Sequence, residues 1–209
     1  MLTITNILLL LLAYLLGSIP FSVIAGKLLK GIDVREYGSG NAGATNTFRV
    51  LGKKAGIPVL ILDVFKGFLA VDLVFFTDYV PTTEIFINLQ LAFGIAAVLG
   101  HVFPIWAGFR GGKGVATLLG FMIGVFPEAA LISIVVFVIT LVFSKYVSLS
   151  SIFAGLFFPF GVYYLSDNIV PTMMIFAIFV PVLLIATHQR NIERLVRGDE
   201  NKVKLRKNK

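Results

Sequence analysis

The sequence predicts an all-α integral membrane protein with about seven transmembrane helices. Of its 209 residues, 57% are hydrophobic and only 14% are charged, and the mean hydropathy is +0.93, whereas soluble domains are far more polar. Backbone groups in lipid must be satisfied within the chain, and the alternating pattern of a barrel strand is absent, so each span is expected to be a helix. The chain has no cysteine, which excludes disulfide bonds and thiol catalysis.

Long uncharged runs give the first spans. About 20 mostly apolar residues cross the roughly 30 Å hydrocarbon core as a helix. Runs of this length with no Asp, Glu, Lys or Arg occupy residues 1–26, 85–109, 146–166 and 168–189. The first run lacks the basic segment and the cleavage site of a signal peptide, so we expect it to be retained as a span.

Two further segments are ambiguous when taken alone. Residues 55–77 are apolar but contain three charged side chains. Residues 114–144 form either one over-long span or two short spans that break at Pro127 and Glu128. A break there brings the total to about seven spans.

The distribution of charge favours the break. With seven spans, the connections on one side hold the basic residues of segments 27–54 and 110–113, Lys145 and the C-terminal segment from Arg190 onward. The connections on the other side carry no Lys or Arg, and their acidic residues are Asp78, Glu84, Glu128 and Asp167. The positive-inside rule then predicts an N-terminus outside and a basic tail, residues 191–209, in the cytoplasm. The net charge of +7 follows from this topology and from contact with anionic headgroups, and nothing points to nucleic acid.

The first cytoplasmic connection contains the segment EYGSGNAGATNTFRVLG, residues 36–52. It formally matches the dinucleotide fingerprint G-x-G-x-x-G, but a membrane helix precedes it where that fingerprint requires a strand. Its glycines, among them Gly40 and Gly43, would let backbone N–H groups approach an anion, and Arg49 would add a fixed charge. Short polar donors are supplied by Ser39, Asn41, Thr45 and Asn46. The alternative is a flexible turn capped by polar side chains before a short helix.

The second connection lies in GHVFPIWAGFRGGKGVATLLG, residues 100–120. It is not a Walker A loop, because Ala107 stands where the first Gly is required and Gly114 where Ser or Thr is required. The glycines Gly111, Gly112 and Gly114 could still expose N–H groups beside Lys113, at the start of a helix whose dipole favours anions. The alternative is a tight turn with a lysine that extends towards the headgroups.

The third polar segment is THQRNIERLVRGDE, residues 187–200. His188 and Asn191 are three residues apart and share a helix face. The other histidine, His101, ends a predicted span just before the second connection. Either histidine could be a structural hydrogen-bonding group. No further ligand at metal spacing accompanies either of them, so neither a metal nor a cofactor is expected.

Together the three segments resemble the signature regions of the bacterial glycerol-3-phosphate acyltransferases that use acyl phosphate as donor. The likeness includes GSIPFS at residues 17–22 and LDVFKG at residues 62–67, and runs through nearly the whole chain. It implies transfer of a fatty acyl group from acyl phosphate to the 1-hydroxyl of sn-glycerol 3-phosphate, the first acylation of phospholipid synthesis. The products would be lysophosphatidate and inorganic phosphate. It also implies one acyltransferase domain over residues 1–209, in the bacterial inner membrane, with its site facing the cytoplasm.

The resemblance also implies roles for individual residues. Residues 111–114, with Lys113, would clamp a phosphate. The reaction centre would be lined by Ser39, Asn41, Thr45, Asn46 and Arg49. His188 and Asn191 would complete the centre and orient glycerol phosphate. No covalent acyl-enzyme is expected, and the general base is either His188 or the donor's own phosphate, which the family favours.

Three ionisable residues are expected to support this site. Asp63 and Lys66 lie inside a predicted span, where charges are costly and default to function, and their spacing allows an ion pair. We expect them, with His101, to hold the site rather than to react, although direct catalysis is the alternative.

A small anion or phosphate transporter is the alternative function, but transporters usually show paired repeats, and none is evident in the sequence. The expected partners are the two substrates and membrane lipid. The sequence leaves open whether the enzyme that makes acyl phosphate also docks.

Overall fold

The computed structural model describes residues 3–166 and 169–203 of the chain. Within these ranges the regular elements are all helical, which confirms the predicted all-α class. The chain divides into two compact units, the first ending at Val125 and the second beginning at Phe126. The assignment of one domain over the whole chain stays a prediction.

From residue 3 onward, the first unit contains six α-helices joined by connections that hold short 3-10 turns. The helices are α1 (Ile4–Gly17), α2 (Phe21–Lys30), α3 (Ala44–Val50), α4 (Lys53–Asp72), α5 (Glu84–Val102) and α6 (Val115–Val125). The 3-10 turns are Val34–Glu36, Leu73–Phe76 and Ile105–Ala107. The helix of the predicted first span is interrupted between α1 and α2, where Pro20 has no N–H group with which to continue α1. The two helices together, Ile4–Lys30, still form one candidate span.

Glycines let the helices of the first unit pack at close range. A Cβ atom on Gly67 of α4 would collide with the carbonyl of Thr117 in α6, and one on Gly120 would collide with the carbonyl of Val64. Gly17 of α1 lies in the same way against the backbone of Ala97 in α5. Small residues at such crossings are typical of membrane helices, where van der Waals packing replaces the hydrophobic driving force.

In the part that the structure describes, the second unit contains four α-helices. They are α7 (Pro127–Ser144), α8 (Val147–Leu165), α9 (Pro171–Thr187) and α10 (Gln189–Arg197). The predicted break near Pro127 is confirmed, since α6 ends at Val125 and α7 begins at Pro127, a favourable first position for a helix. Phe158 packs edge-on against Phe126 and Phe176, with ring centroids 5.5 and 6.1 Å apart.

The number of spans can be compared with the prediction only in part. Among the described residues, four helical segments are long and apolar enough to cross a membrane, with α1 and α2 counted together as Ile4–Lys30. The number rises to five if α9 and α10, bent by 63°, form one span. Two predicted spans fall outside this count. One is α4, which carries buried Asp63 and Lys66; the other is α6, whose 11 residues extend only about 16 Å. Seven spans and the predicted orientation stay predictions.

Candidate functional site

The buried side chain of Asn46 fixes the backbone of the first glycine loop through hydrogen bonds. Its side chain is 1% exposed, and its amide nitrogen donates to the carbonyls of Val34 and Tyr37 at 2.7 and 3.1 Å. Its amide oxygen accepts from the backbone N–H of Ser39 at 2.8 Å. A Cβ atom on Gly38, which has φ of +64°, would collide with this oxygen. Asn46 therefore holds the loop rather than facing its surface.

The other residues predicted in the first segment lie around this loop. Ser39, Gly40 and Arg49 are exposed, whereas Asn41, Gly43 and Thr45 are half-buried. Arg49 stands in the last turn of α3, the short helix that follows Gly43. The first segment thus presents short polar groups and one guanidinium on a single loop and helix.

In the second glycine loop, the expectation that Gly111 and Gly112 expose their N–H groups to an anion is wrong. The amide of Gly111 donates to the carbonyl of Val102 at 3.2 Å, and that of Gly112 to the carbonyl of His101 at 3.1 Å. These two N–H groups therefore satisfy the end of α5, where carbonyls lose their helical partners, and do not point at a phosphate. Lys113 is half-buried and Gly114, with φ of +80°, leads into α6.

The two loops lie side by side. The amide of Ala42 donates to the carbonyl of Gly111 at 3.4 Å. Arg35 reaches from the turn before the first loop and donates through Nη1 to the carbonyls of Ala107 and Arg110, at 2.7 and 3.0 Å. The structure thus brings together the first two of the three predicted segments.

A buried polar network lies behind the second loop. Lys66 Nζ is 2.8 Å from Asp63 Oδ1 and donates to the carbonyl of Ile19, at the break between α1 and α2, at 2.9 Å. His101 Nδ1 lies 3.5 Å from Asp63 Oδ1 and 3.1 Å from the hydroxyl of Thr117. Asp63, Lys66 and His101 are 1%, 3% and 6% exposed. The predicted ion pair is present within α4, and the contact of Asp63 with His101 joins α4 to α5.

His101 connects this network to the second loop. Its carbonyl accepts from Gly112, and a Cβ atom on Gly112 would collide with its Nε2. Only glycine fits at this contact, because the imidazole lies against the backbone. The three residues expected to support the site therefore contact it through His101.

The third segment lies in the second unit and forms its own cluster around Glu200. Glu200 Oε1 accepts from Ser148 at 3.1 Å and from the amide of Asn191 at 2.7 Å, and its Oε2 lies 2.8 Å from Arg194 Nε. The amide of Val203 donates to the carbonyl of Lys145 at 2.8 Å. The predicted basic tail is therefore folded back as far as residue 203, and residues 204–209 lie outside the described part.

The cluster gives the second unit a predicted dependence on pH. Burial raises the pKa of Glu200, but hydrogen bonds from Arg194, Asn191 and Ser148 outweigh burial and hold the pKa below its ordinary value of 4.5. A lowered folded-state pKa stabilises the fold above pH 4.5, and this contribution is lost as the pH falls through the lowered value. We expect the melting temperature of Glu200→Gln to be below that of the unmodified protein at pH 7, and to fall less from pH 7 to pH 3.

Glu193 provides the matched control for this measurement. It lies exposed on α10, in the same segment, so Glu193→Gln removes a carboxylate without opening the cluster. An equal acid-induced loss of stability in all three proteins would contradict the stabilising role of Glu200.

His188 is held by the end of α9. It is 2% exposed, and its Nδ1 lies 2.8 Å from the carbonyl of Leu184 and 3.3 Å from the hydroxyl of Thr187. Because a carbonyl can only accept, a neutral His188 carries its proton on Nδ1. Nε2 is then the nitrogen that would take a proton in a reaction. Asn191 continues from it, with its backbone amide bonded to the carbonyl of His188 at 2.8 Å.

Several residues of these clusters have no role in the sequence prediction. They are Asp33, Arg35, Thr117, Ser148, Arg194 and Glu200. Arg35 and Asp33 stand in IDVREYGSG, just before the first loop. An acidic and a basic residue two positions apart, so close to a predicted anion-binding loop, are the sequence feature that could have identified them. Hydrogen bonding by Arg35 lowers the pKa of Asp33 from 3.8 to about 2, against the effect of burial, so the pair is ionised at neutral pH.

The described residues, with gaps at 1–2, 167–168 and 204–209, contain no group of three His, Cys, Asp or Glu side chains placed to hold a metal ion.

Comparison with known proteins gives one family. A family model described as glycerol-3-phosphate acyltransferase matches residues 7–198. The glycerol-3-phosphate acyltransferase of Chlorobium phaeobacteroides (strain DSM 266 / SMG 266 / 2430) is 42% identical over 229 aligned positions, which cover 96% of this chain and 97% of the relative. That of Chlorobaculum tepidum is 45% identical, with coverage of 94% and 96%.

Two crystal structures are also similar to this chain. Both are of PlsY (YgiH), an integral membrane glycerol 3-phosphate acyltransferase. The glycerol 3-phosphate form has a TM-score of 0.84 and 40% identity, and covers 95% of this chain and 96% of its own. The lysophosphatidic acid form has a TM-score of 0.81 and 39% identity, with 95% coverage of each chain.

Proposed function

Since this chain belongs to the glycerol-3-phosphate acyltransferase family and is an integral membrane enzyme, we propose that its acyl donor is a fatty acyl phosphate. The acyl group is transferred to the 1-hydroxyl of sn-glycerol 3-phosphate. The products are lysophosphatidate, 1-acyl-sn-glycerol 3-phosphate, and inorganic phosphate. The enzyme acts in the bacterial cytoplasmic membrane with its loops facing the cytoplasm.

The observation that carries the proposal is the pairing of two glycine loops with basic side chains. Ala42 and Gly111 join the loops by a backbone hydrogen bond, and Arg49 and Lys113 follow in the same two segments. Such an arrangement suits a reaction in which both substrates bear a phosphate. Similarity to structures of a relative in its glycerol 3-phosphate and lysophosphatidic acid forms supports the acceptor and the product.

For this reaction the protein mainly has to position the two substrates and stabilise negative charge. The acceptor hydroxyl attacks the acyl carbonyl carbon; a carbon–oxygen ester bond forms and the bond from the carbonyl carbon to the phosphate oxygen breaks. The phosphate leaves with the electron pair, and the hydroxyl proton passes to it. Since phosphate is already a good leaving group, the gain comes from holding two anions in attacking geometry and stabilising the charge that develops. Lys113 and Arg49 supply that stabilising charge.

No covalent acyl-enzyme is part of the proposal. The chain has no cysteine. Ser39 lies in an exposed loop, where its backbone amide donates to Asn46, and not on a strand-to-helix elbow. The proton acceptor is the donor's own phosphate, with Nε2 of His188 as the alternative base.

A variant of His188 distinguishes between these two candidate bases. We expect His188→Ala to lower the rate but to keep the shape of the pH–rate profile, because the titrating base belongs to the substrate. The measurement is kcat/KM against pH for both proteins. Loss of the ascending limb in the variant would identify histidine as the base.

The donor is tested with purified protein in detergent. The protein is incubated with glycerol 3-phosphate and palmitoyl phosphate, and release of phosphate is measured together with lysophosphatidate. Palmitoyl-CoA at the same concentration is the control donor, and the expected result is product from palmitoyl phosphate alone. Product from the thioester but not from acyl phosphate would overturn the proposed donor.

The transporter alternative makes a different prediction. A transporter would accumulate phosphate in liposomes without acyl donor and would make no lipid product. Membership of the acyltransferase family favours the enzyme, and uptake without turnover would reverse that choice.

A further inference from the structure

Asp33 and Arg35 form a link between the two glycine loops. We propose that this pair is a positioning device: Arg35 fixes the second loop against the first and so sets the distance between the groups that hold the two phosphates. The inference rests on the proposed function, because it assigns the two loops to the two substrates of one reaction.

Each nitrogen of the Arg35 guanidinium donates to a group of the protein. Nε lies 3.0 and 3.1 Å from the two carboxylate oxygens of Asp33, and Nη2 lies 2.7 Å from one of them. Nη1 donates to the carbonyls of Ala107 and Arg110. Its side chain is 14% exposed. A planar fork that binds a carboxylate on one side and two carbonyls on the other is pre-organised for this bridge, and none of these donors is directed to substrate.

Asp33 fixes the orientation of this fork. It precedes the 3-10 turn Val34–Glu36, and its Oδ1 accepts from the backbone amide of Arg35 at 2.9 Å. The carboxylate thus binds both the backbone and the side chain of the same residue. Arg35 is held at its base and at its tip, so its reach to the second loop is set by the turn.

The link through Arg35 is the stronger of the two described links between the loops. The backbone bond from Ala42 to Gly111 is 3.4 Å long, which is beyond the usual range for an N–H···O bond. The two bonds from Arg35 Nη1 are shorter and carry a full positive charge, and charge-assisted bonds are about twice as strong as neutral ones. Loss of Arg35 therefore leaves the second loop held chiefly by its bonds to α5.

A loosened loop is expected to slow the reaction more than it weakens binding. A misplacement of about 1 Å between reacting groups can cost on the order of 100-fold in rate, whereas each phosphate would still meet its own loop. We therefore expect Arg35→Ala to lower kcat by about 10- to 100-fold with little change in either KM. Arg35→Lys should recover only part of the rate, since an ammonium lacks the fork.

The structure offers a second readout that does not depend on activity. The chain has one tryptophan, Trp106, which is 62% exposed and precedes Ala107, one of the two carbonyl partners of Arg35. Release of this segment should increase the quenching of Trp106 fluorescence by acrylamide. Asp33→Asn, which keeps the carbonyl bonds but weakens the hold on the fork, should give smaller changes in both readouts.

Lys30→Ala is the matched control. Lys30 is an exposed basic residue of α2 that donates to the carbonyl of Val50 at 3.0 Å, on the side of the first loop only. It removes the same charge and a similar bond without touching the second loop, so both readouts should stay at the level of the unmodified protein.

Three results would overturn the inference. They are unchanged kcat and quenching in Arg35→Ala, equal effects in Lys30→Ala, or a loss confined to the KM of one substrate, which would mean direct contact with it. The proposed donor fails separately, when the unmodified protein makes no product from acyl phosphate. The Trp106 measurement still tests the link in that case.

Discussion

Lys113→Ala is expected to lower turnover by about 1,000-fold or more, the scale of losing a charge that stabilises a transition state, while the protein still purifies in folded form. Lys113 is half-buried between Gly112, which packs on His101, and Gly114, which leads into α6. The amides of Gly111 and Gly112 are bonded to α5, so binding of the proposed phosphate in this loop would depend chiefly on the ammonium of Lys113. The measurement is kcat with palmitoyl phosphate and glycerol 3-phosphate.

Lys54→Ala is the control for this change. Lys54 is an exposed lysine in the first turn of α4, in the same basic connection as the first loop, so its loss changes the net charge equally. We expect near-normal turnover for Lys54→Ala and a single cooperative melting transition for both variants. Near-normal activity of Lys113→Ala would show that the loop does not clamp a phosphate.

The helices were predictable because lipid imposes a simple rule on the sequence. Uncharged runs of sufficient length gave α5, α8 and α9 to within a few residues at most ends, and Pro127 gave the start of α7. The first run forms one candidate span, Ile4–Lys30. The interruption of its helix at Pro20 was missed, because the flanks of Pro20 are apolar and the run is long enough to span without a break. The ion pair in α4 could be predicted, since the spacing of three residues places Asp63 and Lys66 on one helix face.

The site was predictable as a set of segments but not as a set of contacts. Composition shows that Gly111 and Gly112 allow a close approach, but not to what. The structure shows that both glycines pack closely against His101, and that their amides donate to the last carbonyls of α5. Asn46 likewise looked like a polar donor of the reaction centre, and its three bonds are all made to its own loop and to the turn just before it.

Residues that act through distant partners left little trace in the sequence. Arg35 contacts residues more than 70 positions away, and Glu200 lies beyond the last helix yet receives bonds from α8 and α10. In the sequence each is one charge among several in a polar stretch, which is the ordinary composition of a solvated segment. Only the folded chain shows that Glu200 is 7% exposed.

The buried pair of Asp63 and Lys66 carries the largest expected effect on stability. Each is almost fully buried, and they lie 2.8 Å apart. Removing Asp63 leaves the Lys66 ammonium without a counter-charge in a medium that solvates it poorly, and removing Lys66 leaves the Asp63 carboxylate with His101 alone beside it. We expect Asp63→Asn and Lys66→Met each to lower the free energy of unfolding by about 3–5 kcal/mol. The measurement is unfolding of the purified protein in mixed micelles of increasing denaturing detergent.

The double variant tests whether the pair is the cause. With both charges removed nothing is left uncompensated, so Asp63→Asn with Lys66→Met should lose much less stability than the two single losses added together. The bond from Lys66 to the carbonyl of Ile19 is lost in Lys66→Met and in the double variant alike, so it does not imitate this coupling. Additive losses would mean that the two residues stabilise the helices independently. A stable double variant with turnover reduced as far as in Lys113→Ala would instead place the pair in the reaction itself.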